Sequence, residues 1–189
     1  MANWAQNAVH FEGNPSTIEA IYSSVRSGEG DIGGLVFDYD VLQPMPESLQ
    51  GHDWADWCYE NRGTKWAGTD VEVAEKTNTS LTLFFQSAWS GPAAYYDFLR
   101  NMFPDLKIVS GYIADSTDGF IVYDGQFDDF ASVFSIIEYA EEEQGEDEPY
   151  KYWEFITNAQ LDELAGKIPS YGRVLEEEEA YSWWQSSED

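Results

Sequence analysis

The sequence predicts an α+β fold: a mainly antiparallel sheet with helices on one face, followed by an acidic helical extension. Residues 1–125 read as strand, helix, strands, helix, strands, the order expected of a sheet covered on one side by helices. Beyond Gln126 the apolar period lengthens from two to nearly four, which reads as helix. A length of 189 residues with 16% aromatic side chains suffices to bury a core. The expected division is a domain over 1–125 and an aromatic-rich helical extension over 126–189 packed on it.

Asn3 to Phe11 alternates polar and apolar positions and stops at Gly13, as a strand does. Asn14 is placed to cap a helix with Pro15 in its first turn, and Ile18, Ile21, Tyr22 and Val25 keep helical spacing until Gly28. Gly34 to Tyr39 reads as a short strand entering the turn Pro44-Met45-Pro46, and Gly51 to Asn61 as a short helix closed by Gly63. Val71 to Ala74 and Ser80 to Gln86 are strand-like, and Pro92 opens a helix that ends before Pro104. Leu106 to Ile113 and Gly119 to Tyr123 complete the first part, with Asp118-Gly119 at a hairpin turn. Phe127, Phe130, Ala131, Phe134 and Ile137 then predict one amphipathic helix, Tyr152, Phe155, Ile156, Leu161 and Leu164 a second, and Tyr171 to Trp184 a final element.

Charge is the strongest functional signal. There are 36 acidic and 9 basic residues, a formal net charge of -27. Residues 115–189 hold 21 of those acids against only Lys151, Lys167 and Arg173. Such a field repels nucleic acid and anionic membrane, so neither is an expected partner, and it attracts basic nucleic-acid-binding surfaces. The interspersed aromatics separate this region from acidic disordered tails. No run approaches the roughly 18 apolar residues of a membrane span, and no signal-peptide pattern opens the chain, so a cytoplasmic location is expected. Cys58 is the only cysteine, which excludes an intrachain disulfide and a cysteine-based metal site.

Six strings occur in order: NWAQN at 3–7, PMP at 44–46, RGTKW at 62–66, FFQSAWSGP at 84–92, FPDLKIVSGY at 103–112, and Asp118-Gly119-Phe120. Together they resemble the YubB-type ferredoxin-like family of phage and plasmid proteins over roughly residues 1–125. The resemblance implies a ferredoxin-like fold and a mobile-element origin, and brings no catalytic chemistry with it. Ala5 stands where that family usually has Cys, and Gly91 where it has Pro.

Other chemistry is weaker. Trp4, Trp54, Trp57, Lys65, Trp66 and Trp89 admit two readings, a ligand pocket or large side chains filling the space beneath the helices, and packing is preferred. Arg62 and Lys65 flank Gly63 without a phosphate-loop pattern and are expected to pair with nearby carboxylates. His10 and His52 lie beside no serine or cysteine nucleophile in sequence. Asp115, Asp118, Asp128 and Asp129 lack the alternation of an EF-hand, so no metal and no cofactor is expected.

The leading expectation is a non-enzymatic phage or mobile-element protein that imitates nucleic acid and occupies the basic groove of a host defence nuclease, a CRISPR effector or restriction enzyme. Its contact residues are expected to be Glu138, Glu141, Glu142, Glu143, Glu146, Asp147, Glu148, Glu176, Glu179, Trp183 and Trp184. Glutamates four apart on a helix lie about 6 Å apart along its axis, near a phosphate spacing; Glu138 and Glu142 would start such a row. The alternatives are an acidic structural or regulatory protein with a basic partner, and a small-ligand enzyme using the tryptophan-rich face.

Overall fold

The computed structural model describes residues 3–28, 34–49, 53–114, 120–123, 127–141, 150–164 and 172–174. It is α+β. Strands β1 (Trp4–Glu12), β4 (Thr69–Lys76), β5 (Ser80–Ala88), β6 (Lys107–Ala114) and β7 (Phe120–Tyr123) form one antiparallel sheet in the order β4-β5-β1-β6-β7. A hairpin of β2 (Val25–Ser27) and β3 (Leu35–Phe37) joins its margin through the bridge Phe37 to Gly68.

Helices α1 (Pro15–Tyr22) and α3 (Ala93–Met102) cover one face of the sheet. Odd-numbered positions of β1 and β5 point that way, so Val9, Phe11, Leu81, Leu83 and Phe85 share a core with Ile18, Ile21, Tyr95, Tyr96 and Leu99. The Asn14 side chain accepts from the Thr17 N–H at 3.0 Å and caps α1 as expected, with Pro15 in the first turn. The helix stops at Tyr22, earlier than the apolar spacing suggests, and Val25 opens β2 instead. Ser23 is the C-cap, and its hydroxyl donates to the Ala20 carbonyl at 2.6 Å, a back-bond that weakens the last turn. Helix α2 (Trp54–Arg62) ends on Gly63 at φ 83°, a left-handed cap that disfavours a side chain.

The expectation of a helical extension is corrected. After the single turn α4 (Phe127–Ala131), residues Phe134–Glu141 and Tyr150–Thr157 are strands β8 and β9, joined by β10 (Gly172–Val174) in a sheet of order β10-β8-β9. Among the described residues of the extension, α4 and α5 (Asn158–Leu164) keep the expected helicity. The even-numbered side of β1 offers Ala8, flanked by Phe84, Val109 and Ile113, and on this apolar surface sit Phe130, Phe134, Ile136 and Phe155. The second sheet is its cover, which gives three layers: helices, sheet, sheet. The Asp118-Gly119 turn, Asp115, Asp128's side chain and residues 175–189 lie outside what is described.

Candidate functional site

One corner of the main sheet collects residues far apart in sequence. Asn7 is buried, and its amide nitrogen donates to the carbonyl of Ala5 at 2.8 Å, to that of Phe85 at 3.3 Å, and to the Ser87 hydroxyl at 2.8 Å. Ser87 donates to the Ser90 carbonyl at 2.7 Å, and Ser90 to the Gly63 carbonyl at 2.6 Å. The buried Thr64 hydroxyl donates to the Ala88 carbonyl at 2.9 Å, and the Trp89 N–H to the Asn3 carbonyl at 2.8 Å. Three of the strings quoted above, at 3–7, 62–66 and 84–92, therefore meet in one hydrogen-bonded corner.

Trp89 is held there at φ 71°, a conformation rare for a bulky residue. Trp89 is 44% exposed and Trp4 37%, so neither is the buried packing residue that was expected. Trp4 lies against Trp66, ring centroids 6.4 Å apart. The Lys65 ammonium stands 5.3 Å from the Trp54 ring and 5.1 Å from the Trp66 ring, within cation–π range of both. Lys65 thus links Trp54 to Trp66, which lies against Trp4, while Trp57 packs on Arg62; Trp4 is exposed because it takes an even position of β1, on the face away from α1 and α3.

Arg62 is 4% exposed and donates to Asp40 at 2.6 Å and to the Gln43 carbonyl at 2.7 Å. It lies over the Trp57 ring at 5.0 Å, so it fastens the segment after β3 to α2 and is not open to an anion. Burial acts to raise the pKa of Asp40, but the Arg62 hydrogen bond, the Met45 N–H and the Arg62 and Arg26 charges together hold it below the ordinary value. Cys58 is buried and its thiol is pushed up by that burial, which disfavours the nucleophilic thiolate. His10 Nδ1 lies 2.8 Å from the Thr82 hydroxyl, but Thr82 is 1% exposed and out of a substrate's reach.

On the face of the sheet opposite α1 and α3, a cleft of about 480 Å³ opens between β4–β5 and the β9–α5 unit. Asp70, Glu72, Glu154 and Glu163 line it with Gln86 and Gln160, and among the described residues no lysine or arginine does. No group of three metal-ligating side chains occurs among the described residues.

The expected contact residues fare differently. Glu138 and Glu141 are in β8, opposite Trp153 and Tyr150 of β9, with Arg173 of β10 also registered to Glu138. A helical row beginning at Glu138 therefore does not form, since that residue is in a strand of period two. Glu142, Glu143, Glu146, Asp147, Glu148, Glu176, Glu179, Trp183 and Trp184 lie outside the described residues. The acidic cleft was missed in sequence because Asp70 and Glu72 meet Glu154 and Glu163 only when the second sheet docks. Among the described residues, no helix is long and apolar enough to cross a membrane. Compared with family models, curated proteins and solved structures, the chain finds no match.

Proposed function

We propose that this chain is a non-enzymatic binding protein that imitates the charge of nucleic acid and occupies the basic groove of another protein. The proposed target class is a host defence nuclease, a CRISPR effector or restriction enzyme, and the proposed source a phage or plasmid. The observation that carries this is the uncompensated charge. Arg26, Arg62, Lys76, Arg100 and Lys107 each already sit against a carboxylate, and Lys65 against two indoles. Among the described residues no ion pair engages the cleft carboxylates, which supports a cationic partner there, and a field of one sign speeds encounter.

The fold we propose is ferredoxin-like. With the β2–β3 hairpin and α2 set aside as an insertion before β4, the path β1-α1-β4-β5-α3-β6 in the sheet order β4-β5-β1-β6 supports it. The resemblance to the YubB-type family supports the mobile-element origin.

The test is competition: duplex DNA bound to purified restriction enzymes and CRISPR effectors is titrated with this protein at about 50 and 200 mM salt. Displacement that weakens steeply with salt is expected. Absence of displacement at the lower salt across the panel overturns the reading.

A further inference from the structure

We propose that residues 39–49 are a strap that opens from helix α2 by itself, uncovering Arg62 and Cys58 while the sheets and the other helices stay folded. The inference is independent of the partner proposed above. It starts from the backbone. Within the strap the Val41, Gln43 and Leu49 N–H groups donate to the carbonyls of Asp38, Tyr39 and Pro46, and those of Asp40 and Met45 to the side chains of Asp38 and Asp40. Among the described residues, no backbone ladder ties the strap to a strand or helix. Side chains hold it to α2 instead: Arg62 Nη2 donates to Asp40 at 2.6 Å and to the Gln43 carbonyl at 2.7 Å, and Gln43 Nε2 to the Asn61 carbonyl at 3.2 Å.

The same joint carries unmet polar groups. The Tyr39 hydroxyl, Gln43 Oε1 and Arg62 Nε are buried without a hydrogen-bond partner among the described residues, and all three belong to the strap or to the residue that clamps it. A buried polar atom left unpaired costs about as much as burying an aromatic ring gains. The Tyr39 ring, fully buried with its centroid 5.2 Å from Phe37 and 4.6 Å from Tyr95, therefore adds little net hold. In the open state all three atoms reach water. A segment with no ladder and offset burial is of the kind that opens locally, below the free energy of global unfolding.

Opening uncovers a defined surface. Cys58 lies one helical turn before Arg62, so the two share a face of α2, and both are buried. The Cys58 thiol feels the charges of Arg62 and of Asp40, which places it at the joint between strap and helix. The strap is thus a gate over a guanidinium and a thiol.

Cys58 is the only cysteine, so thiol labelling reads access to this face directly. The experiment follows labelling of the full chain by DTNB at about pH 8, with rates divided by that of the urea-unfolded chain and global stability measured in parallel. Wild type is expected to label faster than global unfolding allows, by a route nearly constant up to about 1 M urea, because opening the strap exposes little surface. Asp40→Asn, which weakens the Arg62 clamp, is expected to label about tenfold faster, and Tyr39→Phe, which removes an unmet hydroxyl and keeps the ring, about tenfold more slowly. Wild-type labelling that rises with urea as steeply as global unfolding overturns the strap. An unchanged rate in Asp40→Asn also overturns it, since Cys58 is then reached by another route. Tyr39→Phe labelling at the wild-type rate or faster shows that the hydroxyl is satisfied in the fold, and overturns unmet groups as the reason for opening.

Discussion

Gly111 of β6 lies close beneath α4: a Cβ built there would lie 2.8 Å from the Phe130 ring. Substitution by Val therefore pushes α4 off the sheet, and we expect a loss of about 1–3 kcal/mol by urea denaturation. At Asp40 the expectation concerns pH. Its folded-state pKa is depressed, so its stabilising contribution is present above about pH 4, the unfolded value, and is lost as pH falls through the lower folded value. The stability advantage of wild type over Asp40→Asn should accordingly shrink between about pH 5 and pH 2. An advantage that is flat across that range would show that the Arg62 bond contributes nothing specific. Tyr39, Tyr95 and Tyr96 behave in the opposite sense: burial is the main cause raising all three, and the protonated forms are favoured in the fold. Their contribution is complete below about pH 10 and fades above it. Absorbance titration should show these phenols ionising together with unfolding.

Among the elements, α1 was legible because Asn14 and Pro15 are local signals whose geometry needs no partner, and Gly63 marked the end of α2 for the same reason. Strands β8 and β9 were not legible. Ile136 and Ile137 are both buried, so apolar residues occur at both parities of β8 and the period of two disappears. What remains, Phe130, Phe134 and Ile137, falls at helical spacing by coincidence of α4 with the start of β8. The aromatic and β-branched content of FSIIEYAE and YKYWEFIT favoured strands and was the better guide. Of the tryptophans, Trp4 and Trp89 were misread as interior, since their exposure depends on which face of β1 and which side of the turn after β5 they take, whereas Trp54, Trp57 and Trp66 are partly buried. The second sheet is held by rings: Phe134 lies 5.9 Å from Phe84 and 5.0 Å from Phe130. Phe134→Ala should cost about 3–5 kcal/mol. Amide exchange should accelerate first in β8 and β9, with the centre of the main sheet retaining protection; uniform acceleration would mean that all three layers unfold as one unit.

At the scale of the whole molecule, a charge of -27 opposes compaction unless it is screened. The melting temperature should rise between low and moderate sodium chloride, and a flat or falling value would place the charges too far apart to matter. The same field draws in a basic partner from any direction, so steering and contact must be separated by position. Reversal of Glu141, Glu142, Glu143, Glu146, Asp147 and Glu148 to Lys is compared, per charge, with reversal of Glu47, Glu75 and Asp162. The latter three are exposed and take part in no ion pair among the described residues. Loss of long-range attraction slows association in both sets, but only groups at the contact also lengthen or shorten the lifetime of the complex. With octa-arginine as ligand in stopped flow, we expect the first set to slow association more per charge and to raise the dissociation rate, and the second to leave dissociation unchanged. Equal effects per charge on association, with dissociation constant in both, would remove the segment between β8 and β9 from the contact surface and leave the cleft of Asp70, Glu72, Glu154 and Glu163 as the acidic face to test next.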